Sequence, residues 1–136
     1  MWSHASSFAG VNRELRPLAR MTHPAKFASL TAAMVLKDRP AFRSWILLFG
    51  LIPVDFDDIT LVELDPGRGF YERSRLLTMR EWHHRRTLIS TSTGCIVRDE
   101  VKCVPRVFGG VISRLYRLAF KLRHRNLRRF FGEAKG

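Results

Sequence analysis

GFYERSRLLTMREWHHRRTLISTSTGCIVRDEVKCV, residues 69–104, sorts its side chains onto two faces of opposite character. Alternate positions give Phe70, Glu72, Ser74 and Leu76, then Trp82, His84, Arg86 and Leu88, then Val97, Asp99, Val101 and Cys103. The intervening set includes Tyr71, Arg73, Arg75, Glu81, His83, Arg85, Arg98, Glu100 and Lys102, is mostly charged and belongs in water. Side chains of a strand point alternately to either face, so this period of two predicts half-buried strands. Three of them, joined by residues 77–81 and by the turn Thr91 to Gly94, read as an antiparallel meander.

On either side of this stretch the pattern changes. Residues 3–15 and 24–36 read as two short helices, the second opened by Pro24 in a first-turn position. Asp38-Arg39-Pro40 breaks that pattern, and a hydrophobic strand follows over 42–49. Residues 53–58, with Asp55, Asp57 and Asp58, read as a solvated acidic turn before a strand over 59–64 and the turn Asp65-Pro66-Gly67. From Val107 to Phe131, Val111, Leu115, Leu118, Ala119, Leu122 and Phe130 recur at threes and fours among basic residues. That spacing predicts an amphipathic helix long enough to cover the concave face of a curved sheet.

The 136 residues suffice for one domain: 1–37 helical, 42–104 sheet, 107–131 helix. The formal charge of +12 favours contact with polyanions or an anionic membrane surface and is silent on fold. No apolar run approaches the roughly 20 residues that span a bilayer, and no secretory signal opens the chain, so the expectation is a cytoplasmic protein. Cys95 and Cys103 sit at the two ends of one expected strand, too far apart for a disulfide, and read as buried free thiols. The sequence carries no cofactor motif and no cysteine-histidine spacing for a metal.

Register brings chemistry together. If Leu76 lies opposite Trp82, then Ser74 faces His84, Glu72 faces Arg86 and Phe70 faces Leu88. If Ser90 pairs with Cys95, Leu88 faces Val97, Arg86 faces Asp99 and His84 faces Val101. Arg86 would then lie between Glu72 and Asp99 on the inner face, since directly opposed Cβ atoms are about 4.5–5.5 Å apart. Two readings stand: a structural ion cluster that pins register, or the polar patch of a ligand cavity with Ser74 and His84 beside it. A Ser74-His84-Asp99 triad would need His84 to reach Asp99 two residues out of register. His83 and His84 point to opposite faces and cannot share a metal, and Gly67-Arg68-Gly69 lacks the strand-to-helix context of a phosphate loop.

This order of helices, strands and long final helix is α+β and resembles the helix-grip fold of the START-like, or SRPBCC, superfamily. The likeness extends to Phe42-Arg43-Ser44-Trp45, the run from Leu48 to Asp55, Gly69 to Ser74, Trp82 to Arg86, Asp99 and His124-Arg125-Asn126-Leu127. These motifs are similar to those of bacterial polyketide cyclase/dehydrase and coenzyme-Q-binding START domains. The resemblance implies a curved antiparallel sheet wrapped around the C-terminal helix, with a deep cavity for a lipid, quinone or polyketide-like molecule. It also implies a first strand ahead of the first helix; Met1 to His4 read as the start of that helix, so the expectation is either a late start or a start inside a longer protein, and an unpaired sheet edge would then be open to a second copy.

Phe70, Leu76, Trp82, Leu88, Val97 and Val101 would wall that cavity, with Leu115, Ala119 and Leu122 closing it from the helix. Glu72, Ser74, His84, Arg86 and Asp99 would orient a ligand's polar end. The leading expectation is a carrier or binding domain for a hydrophobic small molecule. The alternative is a cyclase or dehydratase using His84 or a carboxylate as acid or base. Charge supplies a third expectation, a peripheral membrane contact through Arg123, Arg125, Arg128 and Arg129 interleaved with Leu127, Phe130 and Phe131. No motif for specific nucleic-acid binding is present.

Overall fold

The computed structural model describes residues 1–106 and 108–132; the expected helix start at Val107 lies outside the described residues. Helices α1 (Trp2–Ala5) and α2 (Phe8–Leu15) lead to β1 (Ala19–Met21). Six strands follow: β2 (Phe42–Leu48), β3 (Ile52–Ile59), β4 (Leu61–Asp65), β5 (Gly69–Leu76), β6 (Met79–Ser90) and β7 (Cys95–Pro105). The chain then enters α3 (Gly109–Phe131). All described strand pairs are antiparallel, and the sheet runs β1-β2-β3-β5-β6-β7 with β4 also on β5. The sheet curls strongly around α3, an α+β helix-grip architecture.

The curl has two local causes. β3 and β4 are halves of one strand bent at Thr60, both paired to β5. Thr60 N donates to Ser74 Oγ at 3.0 Å while Arg73 N donates to the Thr60 carbonyl at 2.9 Å, which fixes the bend. In the β2–β3 pair, Val54 is an extra residue between Ile46↔Asp55 and Leu47↔Pro53, a bulge that adds twist.

The turn expected over 53–58 is displaced. β2 and β3 are joined at Phe49-Gly50-Leu51, where Phe49 and Gly50 take φ of 53° and 75°. Gly50 accepts that left-handed geometry without strain and is the turn signal, so the acidic residues belong to a strand. The second expected helix is also absent: residues 24–36 hold two 3-10 turns, Ala25–Phe27 and Ala32–Met34. Between them the backbone is spent on the α1–α2 break, with Ser7 bridged to Ser29 and Leu30 N donating to Ser6 O at 2.7 Å.

The first helix is likewise two pieces, because Ser7 caps α2 by accepting Gly10 N on its Oγ at 3.0 Å. A Cβ placed on Gly10 would strike the carbonyl of His4, a backbone group that cannot step aside. Helix propensity alone would make Gly10→Ala stabilising by about 1 kcal/mol. Overpacking against backbone outweighs it, so the variant should lose about 1–3 kcal/mol, read as a lower Tm. A raised Tm would show that α1 is not seated on α2.

The alternation in 69–104 holds. Glu72, Ser74, Leu76, Trp82, His84, Arg86 and Leu88 are buried, while Arg73, Arg75, Glu81 and Arg98 are exposed. The β6–β7 register is the expected one: Ser90↔Cys95, Leu88↔Val97, Arg86↔Asp99 and His84↔Val101. β5–β6 is slipped by two residues, pairing Phe70↔Arg86, Glu72↔His84 and Ser74↔Trp82. The connection is a short Leu77-Thr78 turn held by Asp55, which accepts Thr78 N at 3.2 Å and Thr78 Oγ1 at 2.5 Å. A slip of two preserves the inner face but changes every partner. Cys95 and Cys103 are free and only half-buried, rather than buried.

Candidate functional site

Arg86 is the organising side chain of the interior. It is 1% exposed, a charge that must be paired to be tolerated. Its Nε and Nη2 donate to Asp99 Oδ1 and Oδ2, both at 2.8 Å. Its second acid is Glu14 from α2, not Glu72: Nη1 and Nη2 donate to Glu14 Oε2 and Oε1 at 3.0 and 2.8 Å. Glu14 also accepts His4 Nε2 at 2.9 Å and Arg123 Nε at 3.1 Å. Asp99 also accepts His84 Nε2 and His124 Nε2, both at 2.7 Å. Asn126 Nδ2 completes the junction by donating to the carbonyls of Glu14 and Arg16 at 2.7 and 2.9 Å.

Electrostatics follow from this closure. Burial alone would raise the Asp99 carboxyl, but the hydrogen bonds from Arg86 and His84 hold it well below the usual carboxylate range. Burial likewise works against ionised Glu14, and the charges and bonds of Arg123 and Arg86 outweigh it. Burial lowers His84 more than Asp99 raises it, leaving the imidazole neutral at pH 7. Two guanidinium groups thus face two carboxylates, with every oxygen of both acids satisfied. The network is a structural ion cluster that ties α1, α2, β6, β7 and α3 together.

On the other side of His84 lies a cavity of about 130 Å³ with predominantly apolar walls. Phe8, Leu15, Phe70, Leu76, Trp82 and Phe120 supply most of its surface character. Two carboxyls project into it: Asp57 from β3, 4% exposed, and Glu72 from β5, 8% exposed. Asp57 Oδ1 and Glu72 Oε1 receive no hydrogen bond from a neighbouring donor group, but the two carboxyls are close enough to bond to each other when one proton lies between them. Burial, then the charge of the adjacent Glu72, push the Asp57 carboxyl well above its ordinary 3.8. A carboxyl pushed up in this way beside a second buried carboxyl can share one proton with it, a donor–acceptor pair in an apolar setting. Such a pair can accept a hydrogen bond from a ligand hydroxyl or amine, and can exchange a proton with it.

Trp82, Tyr116 and Phe120 form the cavity's outer wall, with Trp82 centroids 5.0 Å from Tyr116 and 6.0 Å from Phe120. The same three rings line a larger groove of about 740 Å³ between β7 and α3, edged by Lys121, His124 and Arg125.

Of the residues expected to line the cavity, Phe70, Glu72, Leu76, Trp82, His84 and Ala119 do so. Arg86 and Asp99 lie in the ion cluster, and Ser74 serves the Thr60 bend. His84 does reach Asp99, but Ser74 lies elsewhere, so no triad forms. Val97 and Val101 line surface grooves, and Leu88 is buried away from the cavity. Leu115 points outward, and Leu122 is not a cavity residue; the inward face of α3 is Ile112, Tyr116, Ala119, Phe120 and Arg123. Arg123, expected at a basic surface, is buried on Glu14.

The acids at 55–58 are corrected too. Asp55 and Asp57 face inward, because strand alternation carries them to the same face as Ile59, while Asp58 pairs outward with Arg43 at 2.7 Å. Asp55 accepts Thr78 and the Tyr116 hydroxyl, whose proton burial and the Asp55 charge hold well above its usual range. Sequence reasoning missed Glu14 and Asp57. For Asp57 a signal existed in the period of two through Asp55, Asp57 and Ile59. Among the described residues no group of histidine, cysteine and acidic side chains is assembled to hold a metal ion.

A family model described as "Domain of unknown function (DUF8410)" matches residues 1–131. No curated protein and no solved structure matches the chain.

Proposed function

Given that the chain belongs to the DUF8410 family, whose description assigns no activity, we propose from its interior that it binds a hydrophobic small molecule with a hydrogen-bond-donating group seated against Asp57 and Glu72. The observation that carries this reading is the pair of buried carboxyls, Asp57 and Glu72, facing an otherwise apolar cavity. Even with one proton shared between them, two carboxyls keep further acceptor lone pairs, which a ligand donor entering an apolar space of this kind can meet. The curled sheet gripping α3 supports kinship with the START-like superfamily, whose members use this interior for lipids, quinones and polyketides.

Size narrows the ligand. About 130 Å³ is close to the roughly 150 Å³ cavity that takes benzene, and below the roughly 300–1,000 Å³ of ordinary ligand pockets. The space suits one ring or a short tail segment, and a larger body must extend through the aromatic wall into the β7–α3 groove. A phenolic ring, as in a reduced quinone or an aromatic polyketide, meets both demands: apolar faces and a hydroxyl for the acid pair.

Thermal unfolding with phenol, benzylamine, toluene and decanoic acid tests this. Phenol or benzylamine should raise Tm more than toluene does. Asp57→Val with Glu72→Met, which removes both acceptor groups, should cut that donor preference about tenfold, the worth of one good hydrogen bond. Absence of a shift with every compound, or an unchanged preference in the double variant, would sink the reading.

A further inference from the structure

The outer face of α3 is the wrong way round for a solvated helix. Val111, Leu115 and Leu118 are 60%, 55% and 57% exposed, and their spacing of four and three places them on one stripe. At about 100° per residue, Arg114, Arg117, Lys121 and Arg125 fall along one border of that stripe, and all four are exposed. Residues 109–131 contain no aspartate or glutamate. Among the described residues nothing covers the stripe, and α3 packs on the sheet through a different face, that of Ile112, Tyr116 and Phe120.

We infer that this face docks on an anionic lipid bilayer, the leucines entering the interface and the basic border engaging headgroup phosphates. The occupant follows from charge. A second copy would bring two cationic borders into opposition, and a nucleic acid would leave the leucine stripe without a role. A bilayer with negative headgroups satisfies both halves of the face, as interfacial amphipathic helices do. Among the described residues no helix is long and apolar enough to cross a membrane, so the contact is one that lies on the surface. The face uses none of the residues that line the inner cavity, although Arg117, Lys121 and Arg125 of its basic border also edge the β7–α3 groove.

Co-sedimentation of the full chain with vesicles decides the matter. Phosphatidylcholine containing about a third phosphatidylglycerol should pellet the protein at roughly 0.05 M salt, and pure phosphatidylcholine should not. Raising salt to roughly 0.5 M should weaken binding about tenfold or more. Leu115→Ser with Leu118→Ser, which removes apolar area without altering charge, should weaken it by a similar factor while leaving the circular-dichroism melt intact. Lys121→Gln with Arg125→Gln should do the same through the other half of the face.

Retained binding in the leucine variant would overturn the inference by reducing it to non-specific charge. Light scattering that shows a dimer, lost in the leucine variant, would overturn it in favour of a second copy. Tighter retention of duplex DNA than of vesicles, indifferent to the leucines, would overturn it in favour of a nucleic acid.

Discussion

Arg86→Met should destabilise the domain by about 3–5 kcal/mol, because it strands Glu14 and Asp99 as buried anions without their shared counter-ion. For a chain of this length that corresponds to a fall in Tm on the order of 10–20 °C. Methionine matches the aliphatic stem of arginine, so the loss reports charge pairing rather than a large void. The comparison is Arg85→Met on the outer face of the same strand. Arg85 meets Glu63 at 3.1 Å with both side chains well exposed, and solvent screening limits that pair to less than about 1 kcal/mol. Urea titration of the two variants side by side measures the contrast; equal losses would show that the interior cluster contributes no more than a surface pair.

Asp57→Asn should do the opposite and stabilise the unliganded protein at neutral pH, on the order of 1–3 kcal/mol. The sign follows from proton counting. Folded Asp57 keeps its proton well above 3.8, whereas the unfolded chain releases it near 3.8. Between those points the folded state binds more protons, so stability falls as pH rises. Glu14 and Asp99 behave the other way: both are lowered, and their contribution is present above the ordinary carboxylate range and lost as pH falls through it. His4 and His84, lowered from 6.5, also remove stability as pH drops below 6.5.

Asp57→Asn should therefore gain at pH 7 and gain nothing near pH 3, with the acid limb of the curve unchanged. A variant curve merely parallel to the parent's would mean that Asp57 is ionised in the folded protein. A gain in stability coupled to a loss of phenol binding would identify Asp57 as a group kept for its ligand at the expense of the fold.

The part of this architecture legible in the sequence was the part written locally. Period two through 69–104 gave the faces of β5, β6 and β7, and Thr91 to Gly94 gave the β6–β7 register residue by residue. The β5–β6 register was not legible, because Asp55, distant in sequence, shortens the turn at Thr78. The acidic run at 55–58 read as solvent-facing on composition alone, although alternation sends Asp55 and Asp57 inward. Glu14 as the partner of Arg86 lies 72 residues away, a distance that no local pattern spans. In α3 the leucines suggested the buried stripe, yet Tyr116, Arg123 and Asn126 hold that place because the interior offers Asp55, Glu14 and helix-end carbonyls to receive them.

Consider the order in which a ribosome delivers the parts. Glu14 emerges early, but Arg123 follows it by 109 residues, and Asn126, which caps the end of α2, by 112. Until those arrive, Glu14 has Arg86 and His4 but lacks its second guanidinium, and the last carbonyls of α2 lack their side-chain donor. Completing this junction depends on contacts between segments far apart in sequence, the kind of pairing whose loop-closure entropy slows folding.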